Sequence, residues 1–244
     1  MDNFLNGFLA PARALGIVFK NKKLIKYFII PVVINTIVLF LFLFFGGGWV
    51  ISQIGDFFNS KDSWLWQALF YVIATLVTTT LVIVFFFVYS AVCNIIGAPF
   101  YDLLSEKTEK ILNKSVEEEK FSFKTFLYDT FRTIKEEINK FLFFDVSQLL
   151  LLFLNLIPLI GSIVYAILSL VISWWLFAYQ YLEIPLGRRR MSFKGKRFFV
   201  NQNKFRTLGF GLAVMLGTLI PVFNIVYIPL CVCAGTLLFH ELEK

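Results

Sequence analysis

The chain has 244 residues, of which 58% are apolar and only 16% charged, and its mean hydropathy is +0.76. Soluble domains average about 25% charged and about 45–50% apolar residues, so a soluble globular enzyme, a disordered chain and a disulfide scaffold are effectively excluded in favour of one compact bundle of membrane helices. The net charge of +7, from 23 Lys and Arg against 16 Asp and Glu, suits a cytoplasmic membrane face with anionic lipids as partners; with no soluble domain to carry it, it does not point to nucleic acid.

Residues 1–26 do not read as a typical cleavable signal, because Pro11 and Arg13 interrupt the apolar part and no small-residue cleavage site follows a clean apolar core. Phe4, Leu5, Phe8, Leu9, Leu15, Val18 and Phe19 recur at roughly helical spacing, which predicts an amphipathic helix lying in the membrane interface. It ends in Lys20, Lys22, Lys23 and Lys26. The apolar run from Tyr27 to Phe45, closed by Gly46-Gly47-Gly48 and Trp49, predicts a first spanning helix over 27–51, since about 20 residues cross a ~30 Å hydrocarbon core. Pro31 sits in its first turn, where a missing N–H does little harm. After a short loop at 52–63, the 39 residues from Ser63 to Tyr101 carry no charge and predict a second spanning helix over 64–101. Its β-branched residues do not make it a strand, because a lone strand in lipid leaves its backbone unpaired.

Residues 102–145 are the most polar segment, and their apolar residues keep helical spacing. They read as two charged amphipathic helices outside the membrane, broken near Asn113 to Glu119. Two further uncharged stretches follow, 146–182 and 207–239, each interrupted near its middle: Ile157-Pro158-Leu159-Ile160-Gly161 in one, Ile220-Pro221-Val222-Phe223-Asn224 in the other. Between them, residues 183–206 hold eight basic residues against one acid, so this loop is cytoplasmic by the positive-inside rule, as are the N-terminal lysines. Parity of passes then makes 146–182 a hairpin, and the same shape suits 207–239. The reading is an all-α integral membrane protein with two full transmembrane helices, two Pro-broken, partly penetrating helical hairpins and amphipathic cytoplasmic helices. It forms one membrane domain, multi-pass, with both termini cytoplasmic.

Interrupted membrane helices point to substrate sites, because a bent backbone frees N–H and C=O groups. Pro158, Gly161, Pro221 and Asn224 are therefore candidates for lining a pore; equally, they are simply the tips of re-entrant hairpins. The uncharged stretches hold no carboxylate of the kind a proton-coupled pump carries, which favours a channel-like path. Arg188, Arg189, Arg190, Arg197 and Arg206 form a basic cytoplasmic loop able to concentrate anions or to anchor in lipid. A lone histidine, His240, makes neither a metal site nor a triad, and Cys93, Cys231 and Cys233 read as packing residues. No cofactor, metal or enzymatic activity is expected.

The segment Ile96-Gly97-Ala98-Pro99-Phe100-Tyr101-Asp102-Leu103-Leu104-Ser105-Glu106-Lys107 resembles the A-P-F-x-x-x-L-x-E signature of the CysZ sulfate permease family, carried here by Ala98, Pro99, Phe100 and Glu106. Tyr179 to Pro185 and the run from Leu208 through Pro221, Asn224 and Pro229 to Thr236 are similar to further parts of that family. The wider group includes the eukaryotic etoposide-induced membrane proteins. The resemblance implies a channel-like sulfate permease of the bacterial inner membrane that supplies cysteine biosynthesis, forming homo-oligomers built from dimers. It also implies an oxyanion site of Gly-Leu-Arg type just before the first spanning helix, a place occupied here by Lys23-Leu24-Ile25-Lys26. Lys22, Lys23 and Lys26 are thus the candidate ligands for sulfate or a similar oxyanion, helped by the free N–H groups of the helix start. The alternative is a non-transporting membrane scaffold of the same group that organises lipid or partner proteins.

Overall fold

The structure, a computed structural model, describes residues 2–41, 44, 64–113, 123–158, 160–220 and 223–243. Among these there is no strand, and the class is all-α, as the composition demands. The helices are α1 (Asp2–Phe8), α2 (Ala10–Lys20), α3 (Lys22–Leu41), α4 (Trp64–Leu112), α5 (Phe123–Leu152), α6 (Gly161–Arg188), α7 (Phe193–Gln202), α8 (Lys204–Thr218) and α9 (Asn224–Leu242). The glycines after the first apolar run, the 52–63 loop, residues 114–119 of the expected break, and Pro221 lie outside the described residues.

The chain divides into two compact units, Met1–Phe28 with Tyr101–Lys244, and Ile29–Phe100. In the second unit the apolar side chains of α3 and α4 face outward: Ile29, Val33, Ile37, Phe40, Val72, Leu76 and Ile83 are all exposed. Water would penalise such a surface and lipid would not. The hydroxyls of Thr36, Thr75 and Thr80 donate to the carbonyls of Val32, Tyr71 and Leu76, which hides them within their own helices.

Helix ends differ from the sequence reading in several places. Lys22, Lys23 and Lys26 do not close the interfacial helix but open α3, because the chain breaks at Asn21. Residues 102–112 do not start a new helix but prolong α4, whose 49 residues run through the change from apolar to charged sequence. Likewise α5 carries the charged segment straight into the apolar Leu149 to Leu152. Pro99 lies just before the first junction, yet α4 continues through it; a change of polarity by itself alters what the helix meets, not its backbone. The N-terminal segment is two helices, with Pro11 in the first turn of α2. Its buried face is small, Ala10, Pro11, Ala14 and Val18, packed toward α9, while Leu5, Leu9, Leu15 and Phe19 stay exposed.

Residues 123–188 fold back on themselves. Gln148 bonds Ser169 at 3.0 Å, Phe143 meets Trp175 edge-on at 5.7 Å, and Lys140 reaches Glu183 at 2.8 Å, so α5 and α6 run antiparallel. The turn comes at the expected Pro158: α5 gives way to a short 3-10 turn at Phe153–Leu156, and α6 begins at Gly161. A Cβ on Gly161 would collide with the Leu154 carbonyl, which explains the glycine there. The amides of Ile157, Ile160 and Gly161 donate to Leu154, Pro158 and Ile157, so these polar groups are satisfied inside the turn. The second hairpin pairs α8 with α9, through Arg206 and Glu241 at one end and the Tyr227 hydroxyl on the Ala213 carbonyl further along. At its tip the Asn224 amide side chain donates to the Thr218 carbonyl at 3.0 Å.

The core of the first unit is built around α9. Every residue from Leu230 to Phe239 is buried, against α2, α6 and α8 and against Ser105 and Thr108 of α4. Among the described residues three helices, α3, α6 and α9, are long and apolar enough to cross a membrane, but most of the apolar stretch of α9 is buried inside the protein and little of that of α6 is. The apolarity of α9 therefore serves packing, and that of the first half of α6 faces outward.

Candidate functional site

The candidate anion ligands sit at the start of α3. Asn21 breaks the chain between α2 and α3: its side-chain amide donates to the Ile17 carbonyl at 2.8 Å, and its own carbonyl accepts from the Leu24 and Ile25 amides. Leu24 is fully buried in the core of the first unit, with Ile25 packed against that core. Lys22 and Lys26, one turn apart, project from the side opposite Leu24, and Lys23 lies beside them. All three are exposed, and none has an acidic partner among the described residues. One buried leucine thus orients three cations at the positive end of a helix.

Several of the other basic groups are paired with carboxylates inside the protein. Arg188 donates to Glu109 at 2.7 Å, to Ser105 at 3.0 Å and to Asp102 at 3.2 Å. Arg189 donates to Glu109 at 3.0 Å and grips both oxygens of Glu243, its guanidinium 5.3 Å above the Phe239 ring. Burial by itself would raise the Glu109 carboxyl, but the hydrogen bonds and charges of the two arginines outweigh it and hold the carboxyl below its ordinary range. The Ser105 and Thr236 hydroxyls are 2.6 Å apart. Because Thr236 already donates to the Val232 carbonyl, Ser105 donates to Thr236, and a polar chain runs from Arg188 through two hydroxyls into α9.

Other pairs tie the helix ends. Arg13 and Arg206 share the Glu241 carboxylate, Lys196 pairs with the buried Glu136, and Lys140 lies 2.7 Å from Glu137 and 2.8 Å from Glu183. Burial alone would lower Lys140, but Glu183 and Glu137 hold its ammonium above the usual lysine range. Arg197 stacks 4.1 Å over the Phe143 ring, and Arg190 turns the chain after α6 with a φ of 52°. Of the family-signature residues, Ala98, Pro99 and Phe100 lie within α4, and Glu106 takes Lys110 at 2.7 Å. Pro158, Gly161 and Asn224 stand at the hairpin tips, and Pro221 lies outside the described residues.

The sequence reading missed Ser105, Glu109, Glu136, Lys140, Thr236 and Glu243 as a set. The available signal was the paucity of acids: the uncompensated arginines of 188–206 need partners, and Glu109 lies 79 residues from Arg188. Sequence distance concealed the pairing.

Comparison with known proteins gives a consistent answer. Residues 10–229 match the family model described as sulfate transporter CysZ/etoposide-induced protein 2.4. The sulfate transporter CysZ of Pectobacterium atrosepticum is 30% identical over 223 residues, covering 88% of this chain and 78% of that protein. The sulfate transporter CysZ of Vibrio parahaemolyticus is 31% identical over 190 residues, covering 78% of this chain and 72% of that protein.

Proposed function

Because the chain belongs to the sulfate transporter CysZ/etoposide-induced protein 2.4 family, we propose that it is a sulfate permease of the bacterial inner membrane. The observation that carries this reading is the contrast among its cations. Arg13, Arg188, Arg189, Arg206, Lys140 and Lys196 are neutralised by carboxylates, whereas Lys22, Lys23 and Lys26 remain exposed at the start of α3. They stand where the family resemblance puts the oxyanion site. Their ammonium groups and the first-turn amides of α3 together suit a doubly charged tetrahedral anion.

The passage is channel-like in this reading. The apolar stretches contain no carboxylate to carry a proton, so sulfate moves down its gradient and is consumed by cysteine biosynthesis. Both termini are cytoplasmic, the hairpins enter the bilayer without crossing it, and the working unit is an oligomer built from dimers. The self-satisfied turn at Ile157 to Gly161 supports that placement, because backbone groups facing lipid must find partners locally.

The test is sulfate binding in detergent without anionic lipid, paired with radiolabelled sulfate flux in liposomes. Each charge-assisted contact contributes roughly 1.5–3 kcal/mol. Lys26→Ala should therefore weaken binding on the order of tenfold or more. Lys26→Arg should keep or improve it, since the guanidinium fork matches two sulfate oxygens. Equal affinity in wild type and Lys26→Ala, or none in either, would remove the site and leave the scaffold reading.

A further inference from the structure

The loop between the hairpins contains two kinds of basic residue, and only the structure separates them. Arg188, Arg189 and Arg206 turn inward to carboxylates. On α7 the inward positions are Lys196 and Val200, both buried, with Phe199 packed 5.6 Å from the Phe239 ring. The outward face carries Lys194, Arg197 and Phe198, and Lys204 and Phe205 follow at the start of α8. Phe198 and Phe205 are 64% and 61% exposed, and Lys204 lies alongside the Phe205 ring. No acidic residue occurs from Ile184 to His240. Arg197, stacked on Phe143, joins this face to the exposed apolar side of α5, where Phe141, Leu142, Val146 and Leu149 point outward.

Two nearly bare phenylalanines among cations are a poor surface for water and a good one for a membrane interface, where rings sit among the first acyl carbons and ammonium groups reach the phosphates. We propose that the outward face of α7, continued by Lys204 and Phe205, is a docking surface for anionic phospholipid headgroups of the cytoplasmic leaflet. Lys194, Arg197 and Lys204 meet the phosphates, and Phe198 and Phe205 insert beneath them. The surface holds the segment between the two hairpins against the bilayer and so fixes the level at which both hairpins enter it. The assignment does not depend on what the protein transports.

Each cation near an anionic leaflet raises the local association roughly fivefold, so three give on the order of a hundredfold. The native cysteines are buried, so spin labels can be placed selectively at Phe198→Cys and Phe205→Cys in the full-length protein, with Lys135→Cys as the aqueous reference. The protein is reconstituted in vesicles of phosphatidylcholine alone, or of equal parts phosphatidylcholine and phosphatidylglycerol. Electron paramagnetic resonance then compares accessibility to oxygen and to a water-soluble nickel complex. With phosphatidylglycerol, both labels should favour oxygen, roughly 5–10 Å inside the interface. In phosphatidylcholine alone, or with Lys194→Gln and Lys204→Gln combined, they should move toward the aqueous reference. Labels as aqueous as position 135 in both vesicles would overturn the proposal. So would labels equally deep in both vesicles and unaffected by loss of the lysines, since that is apolar contact without headgroup recognition.

Discussion

Replacing Glu109 by Gln isolates the buried charge that Arg188 and Arg189 share. The side chain is 5% exposed and accepts from two arginines, at 2.7 and 3.0 Å. Gln keeps the shape and one acceptor oxygen but leaves two guanidinium groups without their shared counter-charge. Breaking a buried pair costs roughly 3–5 kcal/mol. Here the arginines are 21% and 42% exposed, and each keeps a second acid, Asp102 or Glu243, so about 2 kcal/mol is the reasoned value. For a chain of this size that is a fall of roughly 4–8 °C in the unfolding midpoint. Thermal unfolding in detergent, followed by tryptophan fluorescence, reads it directly. The pH dependence adds a second check. The folded Glu109 carboxyl lies below its ordinary range, so its contribution is complete above that range and is lost as pH falls through the folded value. The gap between wild type and Glu109→Gln should therefore be constant near neutrality and close only in acid. An unchanged midpoint at neutral pH, or a gap that widens in acid, would refute the reasoning.

Three further outcomes are expected. Gly211→Ala should lower the midpoint by the equivalent of about 1–3 kcal/mol or more, because its Cβ would meet the Trp174 backbone carbonyl, which cannot yield; Gly16→Ala, where nothing lies nearby, should be neutral or slightly stabilising in the same melt. Thr236→Val removes the acceptor of the Ser105 O–H, which keeps only its bond from Arg188, and should cost about 1–3 kcal/mol, while Ser105→Ala with Thr236→Val should cost less than the two single changes added, as a double-mutant cycle would reveal. Cysteines at Lys135 and Lys194 should both label from the cytoplasmic side only, and labelling from opposite sides would sink the hairpin reading of 146–182.

Much of the architecture is written locally. A strand or irregular segment cannot face lipid, so long uncharged runs must be helices, and Pro158 with Gly161 places a turn in the middle of one of them. Asn113 ends α4 where the expected break begins. These are effects of neighbours along the chain, and a sequence displays neighbours. What decides between core and lipid is not local. By composition, α6 and α9 are equally fit to cross a membrane, yet α9 lies within the core and the first half of α6 faces outward, because apolar side chains gain from either surrounding and only the packing of α2, α6 and α8 selects one. The same holds for charge. The triple arginine at 188–190 looks like a single basic patch, but two of its members are held by carboxylates far along the chain, Arg188 by Glu109 and Arg189 by Glu109 and Glu243, 79 and 54 residues away for the first and last of these pairs. Coulomb attraction acts through space and depends on which helix ends meet, so the cations left to face the outside emerged only from the tertiary structure.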